Sequence, residues 1–408
     1  MPFKKRVINF LSSERFFSLC ILTAAGWYVA LCFLHYFNQR PLWCDENCVL
    51  QSIKSFSPME IFNKKLILYQ VFPRLYLLFI QQVSRLFNYH LLALRFLPFV
   101  AMMCAFRLWL KIARYEMKNN WEYLTFVFSW SGAGLLIYYA AELKQYSMDV
   151  LVASVFILFL YHQERLAITL KPSRYIALLV LLPFLGLFSY PAFIFVALVF
   201  YNLVRAWIEK KKDLSFVLCF VGAVFLALAL SYFFDMRLRP ISDVTAGFNN
   251  NFISLNSPGD FLKTFQEGVN NIFSRFFTEK PKFARGLARS FVVFGLVYLF
   301  YTFFKNFKKE NYYLKSINTI ALAAFMGLFV LGILHKYPFG LPRTTLFFAP
   351  VVLFLTVKGI SSLKGIHPLL YRVIQGGYII FLLYLTTGLA RCIFSGDLGG
   401  MPEVWLPL

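Results

Sequence analysis

Leu66-Ile67-Leu68-Tyr69-Gln70-Val71-Phe72-Pro73-Arg74-Leu75-Tyr76-Leu77-Leu78-Phe79-Ile80-Gln81-Gln82-Val83-Ser84-Arg85-Leu86-Phe87 is the stretch on which the threading of this chain turns. It is long and apolar enough to pass for a membrane span, because a helix rising 1.5 Å per residue needs about 20 residues to cross about 30 Å of hydrocarbon. Gln70, Arg74, Gln81, Gln82 and Arg85 interrupt its apolar face, however, as in a helix lying along the membrane surface. The basic residues decide between the two readings. Lys4, Lys5, Arg6 and Arg15 precede the first apolar run, and Lys111, Arg114 and Lys118 follow the second. Arg165, Lys171 and Arg174, then Arg205 and Lys210 to Lys212, then Lys305, Lys308, Lys309 and Lys315, then Lys358, Lys364 and Arg372 continue the series. If residues 66–87 lie on the surface, all these clusters fall on one side, which the positive-inside rule makes the cytoplasm. If they cross, every cluster after the first moves outside.

Composition sets the same frame. The chain of 408 residues is 59% hydrophobic and 15% charged, with 50 Phe, far from the make-up of a soluble domain. An all-α polytopic membrane protein follows, with an amphipathic surface helix in the first outer loop. Apolar runs near 16–37, 90–110, 121–139, 146–162, 174–189, 192–207, 214–234, 287–304, 317–334, 344–358 and 373–390 give about eleven transmembrane helices. The N-terminus is then cytoplasmic. The first run is longer than a signal-peptide core, so no cleaved signal is expected. Residues 1–390 form one membrane domain that includes outer loops 38–89 and 235–286, and residues 391–408 are a short outer tail. The formal charge of +22 does not indicate a nucleic-acid partner, because the basic residues cap apolar runs instead of forming one patch.

This threading gathers polar groups on the outer side. Leu42-Trp43-Cys44-Asp45-Glu46-Asn47-Cys48 follows the first span, Glu142-Leu143-Lys144-Gln145-Tyr146 lies between the third and fourth, and His335-Lys336-Tyr337-Pro338-Phe339-Gly340-Leu341-Pro342-Arg343 comes late. Neighbouring helical residues point about 100° apart, so one of Asp45 and Glu46 faces a pocket at a time. Cys44 and Cys48, at i,i+4, are badly oriented for a disulfide and read as free thiols. The five His form no metal spacing, and no Walker loop or dinucleotide fingerprint is present. The loop 235–286 is rich in Asn and Phe and predicts a surface helix near 258–278, either a lid over a site or a solvated connector.

The order of an aromatic-Asp-Glu motif after the first span, Pro73-Arg74-Leu75-Tyr76-Leu77, and Leu94-Arg95-Phe96-Leu97-Pro98 resembles the GT-C glycosyltransferases. Tyr138-Tyr139-Ala140-Ala141-Glu142-Leu143-Lys144-Gln145-Tyr146-Ser147 is similar to the second outer loop of the polyprenyl- or dolichyl-phosphate-sugar branch, and Tyr337-Pro338-Phe339-Gly340 with Arg343 resembles a late outer loop of bacterial members. The resemblance covers the first 150 residues and the region 335–358, and elsewhere rests on hydropathy. It implies an inverting transfer of a sugar from a polyprenyl-phosphate donor to a lipid, glycan or protein acceptor, on the outer face of a bacterial plasma membrane. Asp45 then occupies the position of the general base, with Glu46 sharing or orienting the site. Glu142 would be the second-loop acid, a ligand for a divalent cation (Mg or Mn) at the donor phosphate. Lys144, Lys336 and Arg343 are the alternative, neutralising the phosphate directly. A flippase or transporter of lipid-linked sugar, or a surface-polysaccharide polymerase or ligase, is the competing function. The former would show repeats or charges at mid-membrane depth, and neither is evident here.

Overall fold

The computed structural model describes residues 14–67, 70–117, 119–238, 251–277, 282–306 and 314–395. Lys4, Lys5, Arg6, Lys118, Lys308 and Lys309 of the basic clusters, and Arg239, Asn249, Asn250 and Lys280 of the long loop, lie outside the described residues. Regular structure among the described residues is helical throughout, without strands. In chain order the helices are α1 (Glu14–Phe37), α2 (Cys44–Ser55), α3 (Pro58–Asn63), α4 (Arg74–Leu86), α5 (Leu91–Glu116), α6 (Asn120–Gly132), α7 (Gly134–Tyr139) and α8 (Tyr146–Thr169). They continue with α9 (Pro172–Leu181), which runs into a 3-10 turn over Leu182–Leu187, then α10 (Ala192–Ile208), α11 (Leu214–Phe234) and α12 (Pro258–Ser274). The last four are α13 (Lys282–Asn306), α14 (Ile317–Ile333), α15 (Ala349–Ser362) and α16 (Pro368–Ser395).

Among the described residues, seven segments are long and apolar enough to cross a membrane: α1, α5, α8, α13, α16 and the stretches Leu214–Leu238 and Leu346–Gly365 around α11 and α15. The chain is therefore a multi-pass membrane protein. Three shorter apolar segments, Pro172–Leu187, Ala192–Ile208 and Ile317–Ile333, accompany them. Among the described residues of the stretch that opened the reading, the α-helix begins at Arg74. At 13 residues α4 spans about 20 Å, too little for a bilayer core. Its inner face, with Tyr76, Leu77 and Ile80, packs into a small apolar cluster with Val49, Ile53 and Leu94. Residues 391–395 belong to α16 and not to a tail.

Local chemistry sets the helix ends. Asn119, Ser257 and Ser316 accept hydrogen bonds from the first-turn amides of α6, α12 and α14, and Pro172 opens α9 where its missing N–H costs nothing. The apolar run 121–139 predicts one helix, but it breaks at Ala133. There the amides of Gly134 and Leu135 donate to the carbonyls of Phe277 and Phe276, at 3.2 and 3.1 Å. Phe276 and Phe277, far downstream in the chain, thus supply the acceptors that the broken helix lacks. Ala133, Leu136 and Ile137 are fully buried around the break, so water cannot serve instead.

Side-chain contacts fix relative directions. Trp27 Nε1 donates to Thr386 Oγ1 (3.0 Å) and Asn38 Nδ2 to the Ile393 carbonyl (3.1 Å), so α1 and α16 run parallel. Tyr36 Oη donates to the Leu92 carbonyl (2.7 Å) while the rings of Tyr28 and Phe106 lie 4.4 Å apart, so α5 returns antiparallel to α1. At the opposite end Tyr115 of α5 meets His162 of α8, Asn202 of α10 meets Gln163 of α8, Asn318 of α14 meets Thr302 of α13, and Lys358 of α15 pairs with Glu122 of α6.

The tightest crossing joins α13 and α15. A methyl group on Gly295 would stand 2.7 Å from the Thr356 nitrogen, and one on Gly359 would overlap the Phe294 carbonyl. The obstruction is backbone in both cases, which cannot rotate away. Gly359→Ala is therefore expected to force the helices apart at a cost of about 1–3 kcal/mol, read as a lower thermal midpoint of the purified protein. An unchanged midpoint would mean the crossing is looser than described.

Candidate functional site

Four segments that are remote in sequence converge at the end of the bundle where α1 finishes. The first turn of α2 presents two carboxylates in different directions. Glu46 is fully buried, and its side chain accepts from Arg40 Nη1 (3.0 Å), Arg95 Nε (3.1 Å) and Nη2 (2.9 Å), the Leu143 amide (2.7 Å) and the Trp43 amide (3.4 Å). The Trp43 contact is the half of a capping box that a Glu at the third helical position supplies. Arg95 also donates through Nη1 to the Arg40 carbonyl (2.8 Å), which closes the network. Glu46 thus joins the first loop, α5 and the second loop at one point, with no face left toward a cavity.

Asp45 points the other way. Its side chain is 18% exposed, and Oδ2 lies 3.0 Å from Lys144 Nζ and 3.7 Å from Arg343 Nη1. Lys144 also donates to Gln70 Oε1. The second loop positions its side chains by alternation. The Lys144 amide donates to the Glu142 carbonyl (2.7 Å) in a three-residue turn, and Leu143 at its centre inserts into the apolar cluster beside α4. Glu142 and Lys144 are left flanking it, toward the charged groups. Arg343 sits on a turn held by Thr344 Oγ1 donating to the carbonyls of Leu341 (2.9 Å) and Pro338 (3.2 Å) and by Tyr337 Oη donating to the Thr344 carbonyl (2.7 Å). Phe339 anchors that loop, fully buried among Phe265, Phe325 and Phe329. Asn271 of α12 hydrogen-bonds the Gly340 carbonyl, so the helix expected near 258–278 braces the late loop.

Glu142 is the least satisfied member. It is 1% exposed, neither carboxylate oxygen has a hydrogen-bond partner, and Arg40 Nη2 approaches only to 4.0 Å. Burial, with the charge of Glu46 next in weight, pushes its pKa from 4.5 up to about 8. Burial also lowers the pKa of Lys144, against the opposing pull of Asp45. Because Glu142 binds its proton more tightly folded than unfolded, its contribution to stability is fully present below about pH 4.5 and is lost as pH rises through about 8. The thermal midpoint is expected to fall over that window, and Glu142→Gln to flatten the fall. A variant with the wild-type slope would remove Glu142 as its origin.

Asp45, Glu46, Glu142, Lys144 and Arg343 are thus brought together, whereas Lys336 is exposed beyond the end of α14 and no ion pair joins it to the cluster. Among the described residues no group of three or more His, Cys, Asp or Glu side chains is placed to hold a metal ion. The donor chemistry fits one poorly: Glu46 is committed to two arginines, and Asp45 to Lys144 and Arg343. Cys44 and Cys48 are free thiols.

Sequence reasoning missed Arg40 and gave Arg95 no role beyond its place in a motif. An ionisable residue inside an apolar run calls for a buried partner, and that signal pointed to Arg95. Nothing in the sequence singled out Arg40 beyond its place six residues before Glu46. A scan against protein-family models, a search of curated proteins and a search of solved structures each find no match to this chain.

Proposed function

We propose that this protein is an inverting glycosyltransferase of GT-C type, moving a sugar from a polyprenyl-phosphate carrier to an acceptor on the outer face of a bacterial plasma membrane. The observation that carries the reading is one carboxylate held between two cations, Asp45 between Lys144 and Arg343, at the end of an apolar bundle. In the transfer, the acceptor hydroxyl attacks the anomeric carbon as the bond from that carbon to the phosphate oxygen breaks. The proton passes to Asp45, and the polyprenyl phosphate leaves with the negative charge. Lys144 and Arg343 stabilise that charge, Lys as a point charge and Arg through its fork. The donor phosphate competes with Asp45 for the same two cations, so donor binding frees the carboxylate to act as base. A protonated Glu142 beside them adds no negative charge against the phosphate.

The topology behind this reading has eleven crossings, with the N-terminus cytoplasmic. Its support is the alternation of helix directions given by the end-to-end contacts, together with the gathering of Arg114, Lys212, Lys315 and Lys358 at the end opposite Asp45. α6 and α7 count as one interrupted crossing. α9 with its 3-10 turn counts as another.

The test is release of polyprenyl phosphate from a defined polyprenyl-phosphate sugar by the purified full-length protein in nanodiscs. Turnover is expected, and unchanged in EDTA, because the phosphate is neutralised by side chains. Loss of turnover in EDTA with recovery on adding Mg would replace Lys144 and Arg343 by a cation. Transport of the intact donor without bond cleavage would favour the flippase.

A further inference from the structure

An open groove of about 670 Å³ runs along the outside of the bundle between α1 and α16. Trp27 of α1 lines one side, and Thr387, Ala390, Arg391, Phe394 and Ser395, one face of α16, line the other. That volume is within the range of about 300–1,000 Å³ that holds a small-molecule ligand. Trp27 Nε1 donates to Thr386 Oγ1 (3.0 Å), which fixes the indole against α16. Trp27 and Phe394 are 38% and 71% exposed, and on two spans of a multi-pass protein that apolar surface meets lipid chains and not water.

Depth and charge select the lipid. Trp27 lies eleven residues before Asn38, about 16 Å along the axis, and Asn38 meets Ile393 where α1 ends. The groove therefore runs over about half of a hydrocarbon core about 30 Å thick, the depth of one leaflet on the Asp45 side. Arg391, two residues before Ile393, stands at its headgroup end. It is exposed, and among the described residues no carboxylate pairs with it. α16 carries no Asp or Glu, and the one acid of α1, Glu14, is at the far end. An arginine at this depth turns its head to the headgroup level, so its counter-ion comes from the lipid, and the phosphate of a glycerophospholipid is there. A zwitterionic headgroup brings its own cation, for which the groove offers no carboxylate, whereas an anionic one brings none. A polyprenyl chain, many isoprene units long, would outrun a groove of one leaflet's depth.

We infer that the groove between α1 and α16 is a binding site for one anionic glycerophospholipid, such as phosphatidylglycerol, from the leaflet on the Asp45 side. Arg391 holds the phosphate by charge-assisted hydrogen bonds, and one acyl chain lies along Thr387 and Ala390 between the rings of Trp27 and Phe394. The site stands on the multi-pass fold and is independent of the glycosyl-transfer reading.

Photo-crosslinking of the full-length protein in nanodiscs tests it, with phosphatidylglycerol or phosphatidylcholine bearing a diazirine on one chain, each at the same low mole fraction. Peptides that contain Trp27 or residues 387–395 are expected to take about tenfold more label from the phosphatidylglycerol probe than from the phosphatidylcholine probe. Arg391→Gln should remove that preference. Thr387→Phe, which fills the slot but keeps Arg391, should cut labelling by both probes. The Thr387 hydroxyl bonds only the Leu383 and Tyr384 carbonyls of its own helix, so both variants change exposed positions and should fold. Equal labelling by the two probes in wild type, or a preference that survives in monodisperse Arg391→Gln, overturns the site. Polyprenyl phosphate displacing the probe at a lower mole fraction than unlabelled phosphatidylglycerol gives the groove to an isoprenoid and also overturns it. Should neither variant elute as a monodisperse species, the comparison of the two probes on wild type decides.

Discussion

Glu46→Ala should yield little folded protein. The substitution strips the counter-charge from Arg40 and Arg95, which are 4% and 1% exposed, and also removes the acceptor for the Leu143 amide. Removing one partner of a buried ion pair costs about 3–5 kcal/mol, because the remaining charge stays buried without compensation. Here two guanidinium groups are stranded, against a total stability of only about 5–15 kcal/mol for a typical domain. A large drop in thermal midpoint and loss of the monodisperse peak on size exclusion are the expected readouts. Glu46→Gln keeps an acceptor oxygen and should fall between wild type and Glu46→Ala. A Glu46→Ala protein that melts with wild type would show that the network contributes nothing to the fold.

Asp45→Asn should do the reverse, leaving a folded protein that does not turn over. The side chain is partly exposed, and its amide oxygen still accepts from Lys144, so the structural cost is small. What disappears is the proton acceptor. A positioned general base contributes about 10²–10⁴-fold to rate, and donor turnover should fall by that factor with the thermal midpoint near wild type. Donor affinity separates the base from the phosphate site. The variant no longer competes for Lys144 and Arg343 with a full negative charge, so the donor should bind at least as tightly as to wild type. Undiminished turnover would end the general-base assignment, and weakened donor binding would mean Asp45 organises the phosphate site instead.

The helical class and most helix positions were legible because hydrocarbon imposes one requirement on every span, and runs such as 16–37 and 214–234 satisfy it over their whole length. The break at Ala133 was not legible. Its cause is a pair of carbonyls supplied by Phe276 and Phe277, and hydropathy carries no information about partners that far along the chain. The Asp45-Glu46 pair shows the same limit. Helical geometry indicated that the two would diverge, but only the fold shows Glu46 turning inward to Arg95 and Asp45 turning to Lys144 and Arg343. Lys336 lies in the same late loop and was read beside Arg343 as a phosphate ligand. It differs because the anchored Phe339 and the turn that follows carry Arg343 to the cluster and leave Lys336 behind.

The interrupted helix α6–α7 also bears on how the protein is made. Residues 134 and 135 emerge from the ribosome long before residues 276 and 277, and until those carbonyls arrive the amides can be satisfied in an apolar surrounding only by continuing the helix onto the carbonyls of Trp130 and Ser131. The early helices therefore enter the bilayer in a provisional arrangement. They settle only when the later half of the chain arrives, and a translation arrest between the two halves should leave an early half that the quality-control proteases of the membrane can recognise.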